Sequence, residues 1–267
     1  LGYWAKTRIS ENAARQPKRG AQVMTKLRVL DLFSGIGGFS LGLERTGGFE
    51  TVAFCEIEPY PRAVLARHWP GVPCYDDVRT LTGARLAADG LTVDVICGGF
   101  PCQDISVDGN GAGLAGERSG LWFEYARLVG ELRPRFVIVE NVAELLGRGL
   151  GEVLGTLAAL GYDAEWNCIR ASRVGLPHHR DRVWIVAYPH GQRLQGRMQD
   201  WPIVRAETLP LVEIRHEVPA SFVTHGYDGI PRRLGRNHGP SKALGNAVVP
   251  QIPELIGRAI LAAQDAA

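Results

Sequence analysis

Cys102 and Glu140 are the two side chains of this chain best suited to a reaction centre. Cys102 sits in Gly98-Gly99-Phe100-Pro101-Cys102-Gln103-Asp104-Ile105-Ser106, after the apolar run Val93-Asp94-Val95-Ile96-Cys97 and before a glycine-rich loop from Asp108 to Gly116. A run of that kind ending in two glycines reads as a buried strand that stops at the carboxyl edge of a sheet. Open α/β folds bind their ligands at that edge. A thiol held there by Pro101 is well placed to be a nucleophile. A lone cysteine is more often just a small hydrophobic residue, so the reading depends on the rest of the chain. Glu140 closes a second run, Arg135-Phe136-Val137-Ile138-Val139. A carboxylate buried at a strand end is costly unless it has a partner, which makes Glu140 a site candidate. A basic stretch, Leu176-Pro177-His178-His179-Arg180-Asp181-Arg182, precedes a further strand. Arg180 and Arg182, two residues apart at its start, point the same way across the pleat.

The elements that must position these groups begin with a strand, Leu27 to Phe33, and a glycine turn, Ser34-Gly35-Ile36-Gly37-Gly38-Phe39, leading into a helix over Ser40–Thr46. Such a unit can set bare backbone against a ligand at a helix N-terminus, although many α/β proteins use these glycines only to turn. The second strand, Thr51–Cys55, ends in Glu56-Ile57-Glu58. An acid about 20 residues past the glycines suits a ribose hydroxyl. Pro59 opens a helix to about His68. Asp76-Asp77-Val78 follow a short third strand, where the two carboxylates either cap a helix or accept from a ligand's amino group. Helices are expected over Ser119–Leu132 and about Leu150–Leu160, strands over Tyr162–Ile169 and Val183–Ala187, and a last helix over about Ile252–Ala263.

Composition bounds the classes. The chain has 267 residues, 45% hydrophobic and 22% charged, as in a soluble globular protein of one large or two modest domains. No apolar run reaches the length of a membrane span, and the first 28 residues hold no secretory signal segment. Five cysteines without a CxxC pair argue against a disulfide framework or a zinc site. They suit a reducing cytoplasm, and no metal is expected. The net charge of +2 hides an asymmetry: Arg170 to Lys242 carries twelve Lys plus Arg against six Asp plus Glu, a net of +6. An Arg-rich segment points to phosphate or nucleic acid, with a solvated surface as the plain alternative. Residues 1–26 read as a disordered basic tail, and the fold is expected to begin near Met24. A main domain over 27–189 follows. Residues 190–235, polar with scattered Pro and one Trp, Trp201, form a small irregular subdomain or a long insertion loop, and long irregular loops are usually functional or disordered. A segment over 236–267 closes the chain.

In order along the sequence, DLFSGIGG (Asp31–Gly38), CEIEPY (Cys55–Tyr60), GGFPCQDIS (Gly98–Ser106), ENV (Glu140–Val142), HHRDR (His178–Arg182) and GNAVVP (Gly245–Pro250) resemble the motifs of the DNA (cytosine-5)-methyltransferases of bacterial or phage type. The resemblance runs from about Arg28 to the C-terminus. It implies an α/β, Rossmann-like methyltransferase sheet with helices on both faces and a small irregular target-recognition subdomain. The cofactor it implies is S-adenosyl-L-methionine, with S-adenosyl-L-homocysteine as product. By resemblance Phe33, Gly35, Gly37, Glu56, Ile57, Asp77, Val78, Pro101, Leu121 and Asn246 bind it. Cys102, Glu140, Arg182 and Arg180 are catalytic: Cys102 attacks carbon 6 of a flipped-out cytosine in duplex DNA, and carbon 5 is methylated. Ser106, Arg118, Arg193, Arg197, Arg232 and Arg233, with Arg205 and Arg236, are the expected DNA contacts.

The chain departs from the family pattern in three places. His178 stands where a Gln is usual, the segment before the last motif is reduced to Ile230–Arg236, and the recognition region is short. A cytosine in tRNA is the alternative substrate. A non-catalytic nucleic-acid-binding relative and a nucleotide-dependent oxidoreductase are the other classes. The last leaves the Cys102 and Glu140 stretches unexplained. A monomer suffices for the chemistry, and a cognate restriction endonuclease is left open as a partner.

Overall fold

The computed structural model describes residues 25–101, 120–175, 180–192 and 246–264. β1 (Leu27–Leu32) pairs in parallel with β2 (Phe49–Cys55) on one side and β4 (Val95–Gly98) on the other. β3 (Cys74–Tyr75) adds to β2 and β5 (Phe136–Val142) to β4, both parallel. β7 (Asp181–Pro189) runs antiparallel between β5 and β6 (Tyr162–Arg170). The order is β3-β2-β1-β4-β5-β7-β6. The chain steps outward from β1 to β3 and then returns to lay β4 on the other side of β1. Above the carboxyl ends of β1 and β4 a crevice therefore opens.

Strands buried on both faces read as near-continuous apolar runs, and their alternate residues feed two cores. Leu30, Leu32, Ile96, Val137, Val139 and Ile185 face one; Val29, Cys97, Phe136, Ile138, Trp184 and Val186 face the other. The first core is covered by α3 (Gly83–Ala88), α4 (Leu121–Leu132), α5 (Leu145–Arg148) and α6 (Leu150–Ala159), through Leu86, Trp122, Leu145 and Val153 among others. The second is covered by α1 (Gly38–Glu44) and α7 (Gln251–Gln264), through Phe39, Leu43, Ile252, Ile256 and Ile260. Helices thus lie on both faces, as expected. α2 (Pro59–His68) starts on the proline that the sequence marks.

Strand and helix positions follow the sequence reading, with two kinds of difference. β5 and β7 are longer than expected, because antiparallel pairing runs unbroken from Val137↔Ala187 to Val142↔Arg182. This draws Glu140 inside a ladder rather than leaving it past a strand end. α3 and α5 were not expected. Thr82 caps α3, its Oγ1 accepting from the Arg85 N–H at 3.1 Å, so Asp76 and Asp77 are not helix caps. The basic tail through residue 24, residues 193–235 of the recognition region and residues 236–245 lie outside the described residues. Among the described residues no helix is long and apolar enough to cross a membrane.

Candidate active site

The glycine turn after β1 is the floor of the crevice. Phe33 has φ 52°, and Gly35 and Gly37 have φ 53° and 85°. Left-handed backbone at a non-glycine residue costs about 1 kcal/mol, so Phe33 stores strain that its surroundings must hold. They do so through β2: the Ser34 N–H donates to the Cys55 carbonyl at 3.2 Å, and the Cys55 N–H donates to Ser34 Oγ at 3.2 Å. The Gly35 N–H donates to Glu56 Oε2 at 2.8 Å, and the Glu58 N–H donates to Glu56 Oε1 at 2.8 Å. Glu56 is buried with one backbone donor on each oxygen, which leaves lone pairs facing the crevice.

Beside it, Asp77 is gripped by Arg79. The guanidinium donates to both carboxylate oxygens at 2.7 to 3.1 Å, and the Arg79 N–H adds a bond to Asp77 Oδ1 at 2.9 Å. This grip holds the Asp77 carboxyl below the ordinary carboxylate range. Ile57 is 61% exposed and Tyr60 43%. Both open onto the crevice as walls of its mouth.

The other end is built on β4, β5 and β7. Glu140, on β5, is buried, and Arg182 on β7 meets it with Nε 3.0 Å from Oε1. Burial pushes the Glu140 carboxyl above its ordinary range, against the pull of Arg182 and Arg180. Gly99 makes room for it: a Cβ at that position would stand 2.7 Å from Glu140 Oε2. Asn141 ties the two strand ends together. Its Nδ2 donates to the Phe100 carbonyl at 3.2 Å, and its Oδ1 accepts from the Val142 N–H at 2.8 Å. The chain that leaves β4 is thereby fixed as far as Pro101, and Cys102 is the next residue in sequence.

One cavity of about 630 Å³ joins both ends, within the range of about 300–1,000 Å³ usual for small-molecule sites. Phe33, Gly35, Glu56, Ile57, Asp77, Val78, Pro101, Leu121, Glu140, Arg180, Arg182 and Asn246 all line it. Gly37 does not. It precedes α1 under the Trp69 ring, which a Cβ there would meet at 2.6 Å. Asn246 arrives from the far end of the sequence, because Gly38 lets the closing segment lie on α1; a Cβ at Gly38 would stand 2.5 Å from the Val248 carbonyl oxygen. Cys102, Ser106, Arg118, His178, Arg193, Arg197, Arg205, Arg232, Arg233 and Arg236 lie outside the described residues. Sequence reasoning missed Asn141, Tyr60 and Arg79. A buried amide in an apolar strand calls for partners, and an aspartate that can accept from the backbone N–H two residues on is a local-turn signal.

Comparison with known proteins places relatives beside this chain. The family model described as C-5 cytosine-specific DNA methylase matches residues 27–228. The type II methyltransferase M.Sau3AI of Staphylococcus aureus is 31% identical over 230 residues, 76% of this chain and 55% of that protein. The type II methyltransferase M.HhaI of Haemophilus parahaemolyticus is 31% identical over 204 residues, 73% of this chain and 61% of that protein. The chain spans about half the length of the curated relatives it matches. A crystal structure of a protein assigned as a DNA modification methyltransferase encoded within an E. coli prophage superposes with TM-score 0.56 at 27% identity, covering 66% of this chain and 50% of that one.

Proposed function

The chain belongs to the C-5 cytosine-specific DNA methylase family, and from that premise we propose that it moves a methyl group from S-adenosylmethionine to carbon 5 of a cytosine drawn out of duplex DNA. The cavity suits the methyl donor. Ile57 and Val78 offer apolar contact to adenine, Asp77 an acceptor for its amino group, and Glu56 an acceptor for the ribose hydroxyls. The backbone at Phe33 and Gly35, with Pro101, Leu121 and Asn246, completes the wall, and Gly37 shapes the turn from beneath. Glu56, Glu58, Asp76 and Asp77 make this end acidic, which favours a cationic ligand. Bound there, the donor supplies an electrophilic methyl on a positively charged sulfur.

The remaining work falls to the chain. The Cys102 thiolate adds to carbon 6 of the cytosine, and the electron pair of the 5,6 double bond makes carbon 5 nucleophilic. Glu140, protonated or sharing a proton and pushed up by burial, donates to ring nitrogen 3 and accepts from the exocyclic amine, offsetting the charge that develops on the ring. Arg182 orients Glu140, and Arg180 adds positive charge beside it. Carbon 5 takes the methyl group and then loses its proton to a base, for which a bound water is the simplest candidate. The double bond reforms as Cys102 is expelled. The base must leave the helical stack to reach this depth. Ser106, Arg118, Arg193, Arg197, Arg205, Arg232, Arg233 and Arg236 are assigned to the DNA, the arginines chiefly to phosphates, and residues 190–235 to target recognition. In this reading the protein acts in the cytoplasm of a bacterial cell or phage-infected host, as a monomer, with or without a cognate endonuclease.

The observation that carries the proposal is the buried Glu140–Arg182 pair, packed on Gly99 in the segment that continues into Pro101 and Cys102. The test is a trap. The protein and methyl donor are mixed with duplex DNA carrying 5-fluorocytosine, whose carbon 5 has no proton to lose. A denaturant-stable adduct through Cys102 is expected by mass. An adduct on the matching RNA alone would transfer the reading to a tRNA-type substrate, and none on either would overturn it.

A further inference from the structure

The segment that carries Asp77 and Val78 has weak local support. It follows β3, a two-residue edge strand, and runs into α3, which has six residues. What fixes it is a side chain from another part of the chain. Arg127, on α4, donates from Nη2 to the Val78 carbonyl at 2.9 Å and to the Leu81 carbonyl at 2.8 Å. Its Nε donates to Glu124 at 2.8 Å and its Nη1 to Glu131 Oε1 at 2.6 Å. Glu131 then carries the connection onward, its Oε2 accepting from the Gly83 N–H at 2.6 Å. Every nitrogen of the guanidinium is used, and the two carboxylates set its plane so that one edge faces the loop. They also offset the cost of burial, holding the Arg127 guanidinium above its ordinary range.

We propose that Arg127 is a positioning residue for the adenine end of the cavity: it holds the Val78 and Leu81 carbonyls so that the Asp77 carboxylate and the Val78 side chain meet the base at fixed places. This rests on the reading of the cavity as an S-adenosylmethionine site. The Asp77 carbonyl accepts from the Thr80 and Leu81 N–H groups at 3.2 and 3.1 Å, so the loop from Asp77 to Leu81 turns as one piece. Holding it at Val78 and Leu81 holds Asp77. The same helix opens with Leu121, another residue of the cavity wall. α4 therefore sets two walls of the adenine end in one register. A lysine can replace this arrangement only in part, since an ammonium is a point donor without the fixed fork that spans two carbonyls and two carboxylates.

The test is ligand binding without turnover. Dissociation constants for S-adenosylhomocysteine and S-inosylhomocysteine are measured by calorimetry on the full chain and on Arg127→Ala, Arg127→Lys and Glu131→Gln. The two ligands differ in the six-position of the purine: an amine donates to the Asp77 carboxylate, while a carbonyl oxygen faces it with no proton. The unaltered chain is expected to prefer the adenine ligand. Arg127→Ala is expected to weaken that ligand by about tenfold or more and to collapse the preference. Arg127→Lys should recover part of it, and Glu131→Gln should lose less than Arg127→Ala; such changes in supporting partners commonly cost about 10- to 100-fold at other sites. A merely structural role would lower the melting midpoint and leave the preference intact, and that result overturns the inference. Should Arg127→Ala fail to fold, the lysine and glutamine variants decide by the same ratio. If the unaltered chain binds neither ligand, the reading of the cavity fails and the inference with it; if it binds and the variants keep its preference, only the inference fails.

Discussion

The two ends of the cavity use the same side chain in opposite ways. At the end built on β1 and β2, Glu56 and Asp77 are carboxylates given donors: backbone N–H groups for Glu56 and a guanidinium for Asp77. Asp77 is held in its charged form. At the end built on β4, β5 and β7, Glu140 is withdrawn from water so far that burial outweighs the arginine touching it, and the carboxyl is biased toward keeping its proton. One end pulls a carboxyl down and the other pushes one up. Environment alone assigns the roles. The guanidinium on both oxygens of Asp77 pulls its carboxyl down; burial pushes the Glu140 carboxyl up, against Arg182 and Arg180.

Changes that break one end should leave the other standing. Cys102→Ala should have the largest effect, removing methyl transfer by about 10³-fold or more, as expected when a covalent nucleophile is lost. Its S-adenosylhomocysteine dissociation constant should stay within a few-fold of the parent's. Transfer at the parental rate would refute the covalent step. Gly99→Ala is next. The added methyl falls 2.7 Å from Glu140 Oε2, and the carboxyl must leave its place against Arg182. Turnover should drop by roughly 10- to 100-fold, since small displacements at a reacting group cost on that order, with ligand affinity again little changed. An undiminished kcat would mean that Glu140 has room to move. Asp77→Ala acts at the other end and should be milder: about tenfold weaker cofactor binding, or roughly 1.4 kcal/mol, with kcat at saturation near the parent's. An unchanged dissociation constant would take Asp77 out of the adenine contact.

How far all this could be read from the sequence follows from what each group does. The parallel strands were legible because burial on both faces leaves continuous apolar runs with no competing period. Glu140 and Arg182 were legible because a charge at the end of such a run demands a partner. α3 and α5, six and four residues long, were not, because so short a stretch shows no helical period. The full length of β5 and β7 was hidden for another reason: Asn141 and Val142 look like the start of a loop until the antiparallel partner is known. Arg127 could not be found from sequence at all. It sits on a helix whose amphipathic pattern explains it as a surface residue, and its acceptors are backbone carbonyls 46 and 49 positions away. Gly99 was read as a strand stop; its closeness to Glu140 is a fact of packing.

A third carboxyl sharpens the comparison, because among the described residues no cation acts on it. Asp31, at the penultimate position of β1, is fully buried, and its Oδ2 accepts a hydrogen bond from Ser40 Oγ at 2.8 Å. Burial raises its pKa to about 8, the bond from Ser40 and the Cys97 thiol opposing and the charge of Glu56 adding. At neutral pH Asp31 therefore holds a proton in the folded chain that it would release on unfolding. The native state binds more protons than the unfolded state between the unfolded pKa, about 4, and about 8. Across that window stability falls as pH rises, by at most about 1.4 kcal/mol per pH unit, and levels off above it. Asp31→Asn keeps the shape and removes the proton, so its stability should lack this decline. Urea midpoints of both proteins at pH 5, 6, 7 and 8 give the measurement. Asp77 and Asp94, whose pKa values are lowered, slope the other way, but equally in both proteins, and cancel in the difference. A difference that does not change with pH would mean that Asp31 is ionised in the fold. Burial alone would then not keep a carboxyl neutral here, and Glu140, which also has Arg182 beside it, would lose its claim to hold the catalytic proton.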